Sequence, residues 1–264
     1  MRHLPALWAI GIVLLLSGCV TTKHRAPGDP DVSGFLNKSI EVNGKVSKYV
    51  IYVPDGYTPS KSWPLVVFLH GAGERGDDGM MQSQVGISPA IRKFPERFPA
   101  IVLMPQCPTA RFWDAILEDM KAQMAATREE YNIDEKRISL TGLSMGGYGA
   151  WMWGATESDT FAALLPICGG GDLGDIAKRI SADVDDRFGT LEERIPKLAT
   201  LPIWAFHGAA DSVVPVEQSR VMVDKVKAAG GNVKYTEYEG VDHNSWDRAY
   251  SSKEAIEWLL SQHK

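Results

Sequence analysis

Arg137-Ile138-Ser139-Leu140-Thr141-Gly142-Leu143-Ser144-Met145-Gly146-Gly147-Tyr148 is the stretch around which the rest of the chain is organised. A strand-like apolar run, 137–141, enters it, a helix-like run, 148–155, leaves it, and between them stands the pattern Gly-x-Ser-x-Gly. A serine hydroxyl is a poor nucleophile at neutral pH, so a serine enzyme must offer Oγ to a base while keeping other side chains clear of the substrate. A sharp strand-to-helix turn does both if small residues flank it, and Gly142 and Gly146 meet that need. Ser144 is therefore the candidate nucleophile.

Outward from this turn, the apolar pattern alternates between two periods. Residues 39–53 hold two alternating runs around Asn43-Gly44, a dipeptide suited to a tight hairpin because both residues tolerate positive φ. Residues 64–69 and 100–104 are short continuous apolar runs, as expected of parallel strands covered on both faces. In 114–131, Ile116, Met120, Met124 and Tyr131 recur at helical spacing, with Glu118, Lys121 and Arg128 left for a wet face; the two methionines read as packing. Further strands are expected at 161–167, 202–206 and 232–238, and a closing helix at 253–260. The fold class is α/β: a mostly parallel sheet with an antiparallel N-terminal hairpin and helices on both faces, in one domain spanning 36–264. Residues 169–200 break the alternation with Gly169-Gly170-Gly171 and a charged run through Asp183, Asp185, Asp186 and Arg187. Two readings stay open there: a small cap over the site, or a solvated excursion with its own short helices.

The N-terminus has another character. Arg2 gives a short basic start and residues 6–16 are apolar, too short a run to cross a bilayer comfortably, so residues 1–18 are expected to be a secretory signal. Leu16-Ser17-Gly18-Cys19 resembles the lipobox of bacterial lipoproteins, which implies cleavage before Cys19, acylation of its thiol and a lipid-anchored place in the cell envelope. Val20 is not the Asp of inner-membrane retention, so the resemblance implies outer-membrane sorting in a Gram-negative host. The segment 19–35, with Pro27, Gly28, Asp29 and Pro30, reads as an extended tether. The formal net charge of -5 and the lack of a Lys/Arg stripe argue against nucleic acid as a partner. Cys107 and Cys168 would share an oxidising compartment, but each follows a strand near the middle of the sheet and those strands are not expected to be neighbours. Unpaired thiols are expected rather than a bridge.

A nucleophile needs a base and an orienting acid. Asp211 follows the strand at 202–206 in His207-Gly208-Ala209-Ala210-Asp211, and His243 follows the last strand in Val241-Asp242-His243-Asn244. Parallel strands bring their C-terminal ends to one sheet edge, so Ser144, Asp211 and His243 can converge there in the chain order Ser, Asp, His. Asp242 and Asp247 compete for the acid role and rank below Asp211; His70 and His207, each before a glycine, read as hydrogen-bonded turn residues. The oxyanion donors are expected to be the backbone N–H groups of Met145 and of Ala72, the latter in His70-Gly71-Ala72-Gly73-Glu74-Arg75-Gly76. That loop lacks the Lys-Ser/Thr ending of a phosphate cradle. Glu74 and Arg75 are expected to pair within it rather than to meet a polar alcohol group, and Trp113 and Trp246 to flank the site as an aromatic wall or as packing.

The run 70–76, Met104-Pro105-Gln106-Cys107-Pro108 with Trp113, and residues 137–148 together resemble the α/β-hydrolase superfamily. Within it they are most similar to bacterial carboxylesterases of the phospholipase/carboxylesterase and feruloyl-esterase-like groups, over about residues 35–264. The resemblance implies the α/β-hydrolase fold and ester hydrolysis through an acyl-enzyme on Ser144, without metal or organic cofactor. No long apolar lid appears, which argues against a lipase of oil droplets and for short-chain, aryl or polysaccharide-linked esters. The alternatives are a serine peptidase of the same fold and a non-catalytic binding lipoprotein.

Overall fold

A computed structural model describes residues 32–264 of the chain. The signal segment, Cys19 and nearly all of the tether lie outside the described residues. Strands β1 (Gly34–Val42) and β2 (Lys45–Val53) form the hairpin, in continuous register from Gly34 opposite Val53 to Val42 opposite Lys45. Asn43 and Gly44 take φ of 51° and 75°, as a two-residue turn requires. The first strand starts earlier than its alternating pattern because Phe35 lies against Tyr52, ring centres 5.1 Å apart, with the Arg92 guanidinium 4.3 Å from the Phe35 ring centre.

The elements that follow are β3 (Trp63–Leu69), α1 (Ile87–Lys93), β4 (Ile101–Pro105), α2 (Leu117–Glu130), β5 (Ile133–Leu143) and α3 (Met145–Thr156). Then come β6 (Ala163–Ile167), α4 (Leu173–Ile180), α5 (Leu191–Leu198), β7 (Ile203–Gly208), α6 (Glu217–Ala228), β8 (Val233–Tyr238), α7 (Trp246–Ser251) and α8 (Lys253–Ser261). Among the described residues they form one eight-stranded sheet in the order β1-β2-β4-β3-β5-β6-β7-β8. The pairs from β4 through β8 are parallel, and β2 joins β4 antiparallel.

Alternation along the strands divides the core in two. Leu65, Val67, Leu69, Ile138 and Leu140 face helices α2 to α6, while Val66, Phe68, Val102 and Leu143 face α1, α7 and α8. The sheet is thus covered on both faces, as its continuous apolar runs foretold. Met120 and Met124 are buried in the first of these cores, as packing. Residues 169–200 do form short helices of their own, α4 and α5, with a 3-10 turn at Asp186–Phe188 between them. Cys107 and Cys168 are both buried and free; β3 and β5 stand between the strands they follow.

Candidate active site

All the parallel strands end at the same sheet edge, and the candidate residues sit there. Ser144 joins β5 to α3 with φ 52° and ψ −119°, a conformation that a side chain with Cβ adopts only under constraint. Two hydrogen bonds hold it: its N–H donates to Ile167 O (2.9 Å) and its C=O accepts from Tyr148 N–H (3.1 Å). The flanking glycines are required by space. A Cβ on Gly142 would strike the Gly146 carbonyl, and one on Gly146 would strike the Leu69 carbonyl, so the helix could not seat this close to the sheet.

His243 places Nε2 3.0 Å from Ser144 Oγ and Nδ1 2.8 Å from Asp211 Oδ2. Three loops therefore deliver one continuous hydrogen-bonded chain. The β7 and β8 loops are pressed together at Gly208, where a Cβ would run into the carbonyls of Val241 and Asp242. Asp242 helps to tie them: its Oδ1 accepts from the Ser212 N–H and hydroxyl (2.8 and 2.9 Å) and from the His243 N–H (2.7 Å). That is a loop-bracing role, and Asp247 bonds Asn244 at the start of α7, so Asp211 alone of the three acids faces the imidazole.

The Asp211 side chain is wholly buried. Burial alone would raise its pKa, but hydrogen bonds from His207 and His243 and from the Val214 and Val213 N–H groups overcome it and hold the carboxyl well below the usual range. The group stays ionised throughout the working range of an imidazole. His207 is the surprise. It is buried, as a turn residue would be, but its Nε2 lies 3.1 Å from Asp211 Oδ2 and 3.0 Å from Val214 O. Both are acceptors, so Nε2 carries the proton and donates to the acid.

Met145 is the first residue of α3, where an N–H has no acceptor within its own helix. Ala72 opens a 3-10 turn, Ala72–Glu74, across from it, and a Cβ on the preceding Gly71 would lie 3.7 Å from Ser144 Cβ. The loop is braced from inside. His70 donates from Nδ1 to Gly71 O (2.6 Å) and accepts the Cys107 N–H at Nε2 (2.9 Å), and burial lowers its pKa to about 4. Glu74 and Arg75 do not pair with each other, contrary to expectation. Glu74 accepts from Gly71 N–H (3.0 Å), while Arg75 donates to Ala72 O (3.1 Å), Arg111 O and Ile180 O (both 3.4 Å).

The two flanking tryptophans differ in their surroundings. Trp113 is 0% exposed; it packs edge-on to His70 (4.7 Å) and fills the space against Gly149, so it supports the loop and presents nothing to a substrate. Trp246 is partly exposed and meets the His243 ring edge-on at 5.3 Å. Helix α4 lies across the loops. Tyr148 OH and the Arg179 guanidinium both donate to Asp175 Oδ2 (2.6 Å each), and Arg179 also donates to Val213 O (2.8 Å), next to the acid. Cys168, Asp211 and His243 have donor atoms within 4.8 Å of one another. Burial holds the Cys168 thiol protonated, and Asp211 Oδ2 already bonds His243 Nδ1, so the trio does not fit a metal site.

The model of the dienelactone hydrolase family matches residues 48–257. The chain belongs to the dienelactone hydrolase family. Family membership, with the sheet order above, establishes the α/β-hydrolase fold. Among solved structures, a thermostable esterase is 38% identical with a TM-score of 0.73, over 87% of this chain and 63% of that one. The chain thus spans less than two thirds of that esterase's length. The feruloyl esterase module of Clostridium thermocellum complexed with sinapinate matches at 17% identity and TM-score 0.62, over 86% of this chain and 88% of the other. Est1E from Butyrivibrio proteoclasticus does so at 19% and 0.66, over 86% and 98%. At such identities these two speak for the fold alone. A search of curated proteins finds no match.

Proposed function

We propose that this family member is a serine carboxylic-ester hydrolase that works through an acyl-enzyme on Ser144. The observation that carries the reading is the chain Ser144 Oγ to His243 to Asp211, with bonds of 3.0 and 2.8 Å, built on a strained turn. As Oγ attacks the ester carbonyl, His243 Nε2 takes its proton, and Asp211 stabilises the imidazolium and keeps the ring in its productive tautomer. The oxyanion is received by the N–H groups of Met145 and Ala72. Collapse expels the alcohol, which takes its proton from His243. Water, deprotonated by the same ring, then releases the acid. No step calls for a metal or organic cofactor.

The substrate class we infer is a short-chain, aryl or polysaccharide-linked ester. The half-exposed ring of Trp246 beside the base supports a flat acyl group, and the sinapinate held by the feruloyl esterase module is such a group. We also assign the N-terminus to export and to a lipid anchor at Cys19, on the lipobox-like Leu16-Ser17-Gly18-Cys19. Protein lacking residues 1–19 should release p-nitrophenol from its acetate and butyrate esters, and Ser144→Ala should lower kcat by about 10⁴-fold or more. Undiminished turnover in Ser144→Ala would end the assignment. Comparison of kcat/KM for acetyl, butyryl and feruloyl esters, in the wild type and in Trp246→Ala, tests the acyl site: a loss confined to the feruloyl ester is expected.

A further inference from the structure

The hydrogen-bonded chain does not stop at Asp211. Beyond it, His207 Nε2 lies 3.1 Å from Oδ2, His207 Nδ1 lies 2.7 Å from Ser219 Oγ, and Ser219 Oγ lies 3.0 Å from Gly169 O. Ser144, His243, Asp211, His207 and Ser219 thus join end to end across the sheet edge, from the candidate nucleophile to α6. We propose that His207, held in place by Ser219, is a positioning residue for the hydrolysis: it fixes the Asp211 carboxylate and shares its charge with His243. This rests on the esterase reading above.

A carboxylate has about four lone-pair directions. On Asp211, Oδ1 receives the N–H groups of Val213 and Val214 (2.9 and 2.8 Å), and Oδ2 receives His243 and His207. Every direction is filled, so the group cannot rotate away from the base. His207 is the one side-chain donor to Asp211 besides the base itself among the described residues. Nε2 keeps its proton because both of its neighbours, Asp211 Oδ2 and Val214 O, accept; the bare Nδ1 then takes the one proton of Ser219 at 2.7 Å, in preference to the Gly169 carbonyl at 3.0 Å.

Other polar groups face this chain but are engaged elsewhere. Cys168, at the end of β6, is kept protonated by burial. Glu237 of β8 is held ionised by Arg220 (2.6 and 2.9 Å) and Tyr235 (2.9 Å). Asp242 is held ionised by the Ser212 and His243 N–H groups and the Ser212 hydroxyl. Loss of the His207 donor would therefore leave one buried lone pair of Asp211 bare and concentrate its charge on His243.

The test compares His207→Leu, which has no donor, His207→Gln, which keeps one, and Ser219→Ala, which leaves the ring but removes its brace. With p-nitrophenyl acetate, His207→Leu should lose roughly ten- to a hundredfold in kcat at nearly unchanged KM. Its acidic limb in kcat/KM should move to higher pH, because the unshared carboxylate holds the imidazolium more strongly. His207→Gln should return most of the rate and the wild-type limb, and Ser219→Ala should lose severalfold in kcat alone. A folded His207→Leu with wild-type kcat and limb would overturn the proposal, provided that Ser144→Ala is inactive. If His207→Leu does not fold, a Ser219→Ala with unaltered kcat together with a His207→Gln no better than an unrelated buried substitution would overturn it equally. Turnover in Ser144→Ala would count instead against the esterase reading.

Discussion

At the scale of single residues, the site depends as much on side chains that are missing as on those present. Gly146→Ala would set a methyl group on the Leu69 carbonyl, so it should cost about 2 kcal/mol or more and nearly all activity. Gly73→Ala, in the neighbouring loop, meets nothing within 4 Å and should fold with wild-type stability; denaturant midpoints for both check the contrast. His70 gives a pH dependence of stability. Its pKa is lowered from 6.5 to about 4 by burial, against which the bond to Gly71 O works. Between those values the unfolded chain binds the proton and the folded one does not, so stability is complete above pH 6.5 and declines as pH falls towards 4. The loss amounts to about 3 kcal/mol, and it should be absent in His70→Gln when unfolding is followed from pH 7.5 to pH 4.5. Ser144, Asp211 and His243 were legible because a nucleophile turn, an acid and a base at strand ends, in that order, have few other uses. Trp113 was not, since an aromatic beside a strand end has the same letter whether it lines a pocket or fills a core. His207 was read as a hydrogen-bonded turn residue, yet its partners, Asp211 four residues on and Ser219 of α6, became visible only from the path of the loop between them.

At the scale of elements, helix α4 is the piece whose role the amino-acid pattern left open. Its length is only Leu173–Ile180, but it touches helix α3 through Asp175, the loop after β7 through Arg179 and the 70–76 loop through the Ile180 carbonyl. The Tyr148 hydroxyl, largely buried, donates to a carboxylate, a bond that is stronger than a neutral one. Tyr148→Phe should therefore lose about 1–2 kcal/mol, and a double-mutant cycle with Asp175→Asn should recover about 1 kcal/mol of coupling in urea unfolding. Additive losses would mean that the bond contributes nothing. Strand and helix identities were legible from period alone, because a strand covered on both faces is apolar throughout. Their ends were not. Strand β5 begins at Ile133, before its apolar run at 137, because Trp63 pairs with Ile133 across a register shift that polar Asp134, Glu135 and Lys136 conceal.

For the whole molecule, the sequence of βα units announced a parallel sheet but not its order. That β4 lies between β2 and β3 depends on which edge each crossover returns to, and apolar runs of similar length carry no mark of it. The proposed tether makes a prediction at this scale. Cys19→Ala should leave the chain unacylated and move it from the membrane to the soluble fraction, with kcat unchanged because the site lies within residues 70–246; retention in the membrane fraction would count against the anchor. The position of the base has a last consequence, in time rather than space. His243 follows β8, an edge strand of the sheet, and comes 99 residues after Ser144. Behind it, α8 closes on β5 through Arg137 to Leu260 O (2.7 Å), a contact across 123 residues. A chain still emerging from the ribosome carries its nucleophile 99 residues before its base, so on the proposed chemistry it is inert until residue 243 has been made and β8 has docked. Ester hydrolysis is then a direct assay of that docking.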